Sequence, residues 1–153
     1  MKLTQILLIG FLLSVGLNLF LFFKPVEEKP SYRMEGDTRI EIELLPEHKE
    51  FILSEMRQFV ESIHLINEGI VENDPSKIIK AGEKSGTSVN PPKELVQSVP
   101  KEFLKMGQPT HKLFDIMADS ARTNFNPKTV QIQLTELTGR CVNCHSAYRL
   151  GIK

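Results

Sequence analysis

Apolar and polar residues are distributed unevenly along this chain. Residues 3–23 carry no charge, and Leu, Ile, Phe, Val and Gly dominate, interrupted only by Thr4, Gln5, Ser14 and Asn18. Wound as a helix, a run of that length reaches roughly 30 Å, the hydrocarbon thickness of a bilayer. The pattern predicts a single-pass membrane anchor over residues 1–23. A cleaved signal peptide is the competing reading, with an apolar stretch of about 7 to 15 residues before a small-x-small site. Ser14-Val15-Gly16 supplies such a site, but residues 17–23 would then remain as an exposed apolar tail, and no such triplet follows where the run ends at Lys24-Pro25. An uncleaved anchor is the expectation.

Beyond the anchor, residues 24–44 read as a charged spacer holding Pro25, Pro30 and a turn at Gly36-Asp37. Within it, Arg39-Ile40-Glu41-Ile42-Glu43 alternates apolar and charged residues like a short strand, but no partner strand is visible, so extended chain is expected there. A helix should open near Pro46, with Ile52, Met56, Phe59, Ile63, Ile66 and Ile70 along one seam, a spacing of alternating fours and threes that suits a bundle. Asn73-Asp74-Pro75 should end it and cap a shorter second helix running to about Lys84. After a loop over residues 86–92, a third helix is predicted over 100–122, with Phe103, Met106, Leu113, Met117 and Ala121 facing inward and Gly107 and Pro109 kinking or interrupting it. The fourth opens at Asn126-Pro127, with Val130, Leu134, Leu137, Cys141, Cys144 and Tyr148 on its seam. The fold class expected is all-α: a four-helix bundle over residues 45–153, preceded by the transmembrane helix.

Charge removes one class of partner. The 153 residues hold 19 basic and 19 acidic side chains, and no Lys/Arg block forms a stripe able to neutralise a phosphate backbone, so no nucleic acid is expected. The length suits one domain plus extras, and there is no internal repeat.

The chemistry is concentrated near residue 145. Cys141-Val142-Asn143-Cys144-His145 matches Cys-x-x-Cys-His, the attachment sequence of c-type haem. On a helix, residues three and four apart share a face, so two thiols can reach the two vinyl groups of one porphyrin while the next imidazole meets the iron. Thioethers make the attachment permanent, and a neutral imidazole is a strong iron ligand. Chance alone produces this arrangement on the order of a few times in ten thousand such chains. Three other readings stay open. A thioredoxin-like redox pair would sit at a helix start beside a strand, a zinc site would need ligands from the scattered His48, His64 and His111, and a plain disulfide would not account for His145.

The stretch from Cys141 through His145 and Ser146-Ala147 to Tyr148-Arg149, on the last of four predicted helices, resembles the class II c-type cytochromes, that is, cytochrome c-prime and its low-spin relatives. The resemblance covers roughly residues 44–149 in architecture and the final nine of these as a motif. It implies one covalent haem c, with Tyr148 packed in the haem crevice and Arg149 close to the proximal His145. Registering the chain on the loop at Asn73-Asp74-Pro75 brings Met56 onto the iron-ligating Met of the low-spin members. Met106, Met117 and Met34 are weaker candidates for that position, and His64 would give bis-imidazole ligation.

The expected function is electron transfer, as a carrier and not an enzyme. The bundle would be held by the anchor at the outer face of the cytoplasmic membrane, in the periplasm or an equivalent extracytoplasmic space, because haem is joined to such motifs there. Two alternatives are a five-coordinate haem binding a diatomic gas such as nitric oxide, as cytochrome c-prime does, and a membrane-tethered thiol oxidoreductase. Redox partner proteins are implied but not named by the residues. The resemblance also admits a homodimer through the first two bundle helices.

Overall fold

The computed structural model describes residues 3–23 and 36–153, with backbone alone at residues 3, 4, 6, 8 and 21. Most of the spacer, including Pro25, Pro30 and Met34, lies outside the described residues. Two compact units emerge, residues 1–37 and 38–153.

The first unit contains helix α1, Leu3–Phe22, uncharged along its whole length. Among the described residues no helix is long and apolar enough to cross a membrane. The described large apolar side chains of α1, from Leu7 to Phe22, are nevertheless exposed all round it. Its Asn18 side chain is satisfied within the helix, donating to the Ser14 carbonyl at 2.8 Å. Gly36, near the end of the unit, has φ +89°, so the turn expected at Gly36-Asp37 uses the left-handed region that glycine enters without strain.

The second unit is mostly helical, as expected of an all-α chain. It runs β1 (Ile40–Leu44), α2 (Pro46–Glu72), α3 (Pro75–Ser85), α4 (Lys93–Ser98), α5 (Lys101–Asn124), α6 (Pro127–Ala147) and β2 (Tyr148–Ile152). The boundaries follow the capping chemistry. Asn73 ends α2 in a left-handed conformation, φ 56°, and Asp74 begins α3 by accepting from the Ser76 amide at 2.9 Å. Asn126 does the same for α6, accepting from the Lys128 and Thr129 amides at 3.0 and 3.1 Å, with Pro127 in the first turn where its missing N–H costs nothing.

The four long helices ring a common interior: α2 packs on α3 and α6, and α5 on α3 and α6. Ile66 from α2, Ile78 and Ala81 from α3, Leu113, Phe114, Met117 and Ala121 from α5, and Val130, Leu134 and Leu137 from α6 form its core. Met117 is fully buried there. Close approach of α3 to α5 depends on Gly82, where a Cβ would stand 2.4 Å from the Ala118 Cβ and 2.8 Å from the Phe114 carbonyl oxygen.

Three expectations need correction. The alternating segment before α2 has a partner: β1 pairs in parallel with β2, Ile40 opposite Tyr148 through Leu44 opposite Ile152. Tyr148 accordingly opens a strand and does not continue the last helix, because the extended chain of residues 148–152 gains a ladder and a second interior that another helical turn would not supply. Finally, of the two outcomes expected at Gly107 and Pro109, interruption is not found: α5 runs through both as one helix. Proline removes only the amide that would have bonded the Lys105 carbonyl, and Thr110 closes the turn beside it by donating from Oγ1 to the Met106 carbonyl at 2.9 Å.

The β pair covers a second, smaller interior. Ile42 and Leu44 point inward from β1 and meet Ile52 of α2, Leu95 of α4 and Val99 beyond it, with Phe51, Met56, Phe103, Leu104, Tyr148 and Leu150 partly buried around them. Glu41 lies on the outer side and pairs with Arg149 at 2.6 Å, tying the two strands together across the sheet.

Candidate haem-attachment site

Between the two interiors lies a cavity of about 120 Å³. Its wall includes Met56 and Phe59 from α2, Met106 and His111 from α5, and Cys141, Cys144 and His145 from α6. The helical spacing places both thiols of the motif on the cavity side, and the last turns of α6 bring His145 there beside them. Met56 reaches the same space from α2, as its seam position between Ile52 and Phe59 predicts. A second cavity of about 550 Å³ adjoins it, sharing Ile52, Glu55, Phe103, Gly107 and His111 and extending to Val89, Leu95 and Val99. The first alone is smaller than the roughly 300–1,000 Å³ of a cofactor pocket, and the two joined fall within that range.

Both cysteines are free thiols, half-buried. Cys141 donates weakly to the Leu137 carbonyl, Sγ to O 3.5 Å. Burial pushes both thiols above their ordinary value, and at Cys144 the neighbouring Cys141 adds to the rise. Each is therefore a neutral thiol near pH 7, the opposite of the lowered value a redox nucleophile requires. The pair also sits near the end of α6 and not at a helix start. No cluster of three or more His, Cys, Asp or Glu able to hold a bare metal ion occurs among the described residues. These features weigh against the thioredoxin-like and zinc readings.

Two polar atoms on the cavity wall are buried without a hydrogen-bond partner, Glu55 Oε1 and Arg140 Nε. Burial raises the Glu55 carboxyl above its ordinary range, against the pull of nearby His111. A buried polar atom left unpaired costs about 1–3 kcal/mol, so this wall is poorly matched to an empty apolar space. The residues fit covalent haem: two thiols and an imidazole at the required spacing, a thioether in the same cavity, and room extending into the adjoining space.

The other expected site residues are placed differently. Tyr148 lies behind the wall, edge-on to Phe103 with ring centroids 5.5 Å apart, and Phe103 itself lines both cavities. Arg149 is held by Glu41, while the side chain that reaches His145 is Arg39, whose Nη1 donates to the His145 carbonyl at 3.4 Å. His64 stands on the surface beside Glu68, away from the cavity. Sequence reasoning missed His111, Glu55 and Arg140 as cavity residues. Arg140 directly precedes Cys141 and could have been found from that adjacency, but the other two carry no motif and reach the site only through packing.

No family model matches the chain, and no curated protein and no solved structure matches it either.

Proposed function

We propose that this protein is an electron carrier, a four-helix bundle with one haem c joined to Cys141 and Cys144 and ligated by His145 and Met56. The observation that carries the reading is the lining of one cavity by all three chemical residues of the Cys-x-x-Cys-His motif together with a methionine from the neighbouring helix α2. When bound, haem supplies a one-electron couple whose potential is raised by a thioether ligand. The chain's own residues do the rest. Cys141 and Cys144, both free thiols, would hold the porphyrin by thioether bonds to its vinyl groups, an addition that needs no oxidant. His145 and Met56, on separate helices that share the Phe114 core, would be the two residues to hold the iron. Phe59, Phe103 and Ile52 exclude water from the space around it.

The resemblance to class II cytochromes supports the same reading, and so does the mismatch between the motif and the simpler thiol and zinc alternatives. The uncharged sequence of residues 3–23 and the exposure of the described apolar side chains of α1 support an anchor holding the bundle at the outer face of the membrane.

Haem staining after denaturing electrophoresis, with a pyridine haemochrome spectrum, tests the central claim. The parent should retain haem through denaturation, and the Cys141→Ala/Cys144→Ala variant should lose it completely. Covalent haem surviving in that double variant overturns the reading. A parent that is high-spin and binds carbon monoxide at once would replace electron transfer by gas binding.

A further inference from the structure

Resting on that reading, we propose that His111 is a reserve iron ligand, which takes the position opposite His145 whenever Met56 leaves it. The proposal comes from the way the imidazole is held. His111 Nδ1 lies 2.9 Å from the backbone carbonyl of Ser85. A carbonyl can only accept, so Nδ1 carries a proton, and in the neutral form of the ring the lone pair is at Nε2. Imidazoles that bind metals are oriented in this manner, the second nitrogen donating to a backbone carbonyl or carboxylate and so fixing the tautomer.

The ring is also fixed in direction. Phe59 meets it edge-on at 5.0 Å between centroids and is itself stacked on Phe114 at 5.2 Å, which anchors the arrangement to the main core. The Ser85 end is equally firm, its hydroxyl bonded to Ser62 at 2.8 Å in a buried pair. On the other side of the ring, Glu55 Oε1 stands 3.9 Å from His111 Nε2, beyond hydrogen-bond reach. His111 therefore presents a lone pair on the wall it shares with Met56 and His145. Met106 lines the same cavity, but a thioether has no N–H through which a backbone carbonyl could orient it in this way. His48 and His64 do not line it.

The test uses the full-length haem-loaded protein and the volume-conserving variant Met56→Leu, with near-infrared absorption, electron paramagnetic resonance and carbon monoxide uptake as readouts. Met56→Leu should lose the sulfur-ligation charge-transfer band yet stay low-spin, now with two nitrogen ligands, and its potential should fall. Met56→Leu/His111→Phe should become high-spin and take up carbon monoxide much faster than Met56→Leu. If the phenylalanine does not fold, His111→Gln repeats the comparison. The proposal is overturned if Met56→Leu is already high-spin and binds carbon monoxide as fast as the double variant. It is also overturned if the parent lacks the sulfur band and turns high-spin on His111→Phe alone, since His111 would then be the resident ligand. A parent without covalent haem overturns the underlying reading instead.

Discussion

The interior around Phe114 and the interior beneath the β pair belong to the same unit but are closed in different ways. In the first, four helices contribute ten buried residues with no described cavity among them, and α3 lies so close to α5 that a glycine is required at the contact. In the second, three of the five buried residues, Ile52, Leu95 and Val99, line cavities, and the wall carries unpaired polar atoms. The first is complete in protein alone and sets the positions of α2, α5 and α6. The second is shaped to be completed by something else. A close-packed region thus holds the helices that carry Met56, His111 and residues 141–145, while the other leaves room between them.

The difference is testable with one residue type. Phe114 is fully buried, so Phe114→Ala should cost about 3–5 kcal/mol in urea unfolding by combining lost transfer energy with a new cavity. Phe103 is half-buried beside space that already exists, and Phe103→Ala in the haem-free protein should cost only about 1–2 kcal/mol. Equal costs would mean that the two interiors are equally tight.

A pair of glycines sharpens the contrast at the next level of effect. Gly82→Ala drives a Cβ against backbone and should destabilise by about 1–3 kcal/mol despite the better helix propensity of alanine. At Gly107, on the cavity wall, a Cβ would meet nothing within 4 Å, so Gly107→Ala should stabilise the haem-free protein by roughly 0.5–1 kcal/mol. That gain should shrink or reverse once haem occupies the space, which thermal melts of the two forms would reveal.

The smallest expected effect concerns Glu55. Its folded value lies above the ordinary 4.5, chiefly through burial. As pH rises through the interval between those values, the unfolded chain has already released the proton that the folded chain retains, so folding stability declines. Glu55→Gln should flatten that decline in the haem-free protein, measured by urea midpoints at acid and neutral pH. An unchanged slope would show that the wall is better hydrated than its burial implies.

Much of the fold is legible in the residues because local rules specify it. The seam of α2 and the caps at Asp74 and Asn126 each depend on neighbours within a few positions, and the structure follows them closely. The β pair is invisible for the opposite reason: β1 and β2 are joined by pairings such as Glu41 with Arg149, 108 positions apart. Helix α4 escapes because six residues with a single buried side chain, Leu95, are too short to show a period. At the site, the motif and Met56 can be located from spacing. His111 and Glu55 cannot, since their significance arises only when α5 packs across α2.

The order in which the chain is synthesised gives the β pair a further meaning. Strand β1 emerges early, but its partner appears only after residues 141–145 have been made, so the lid over the second interior cannot close before the thiols and His145 exist. Long-range pairings of this kind also form slowly, because more than a hundred intervening residues must first be gathered. A nascent chain would therefore hold residues 141–145 on a helix end with the two strands still unpaired. In that interval the two cysteines stand open to solvent, and the arrival of residues 148–152 on Ile40–Leu44 brings it to an end.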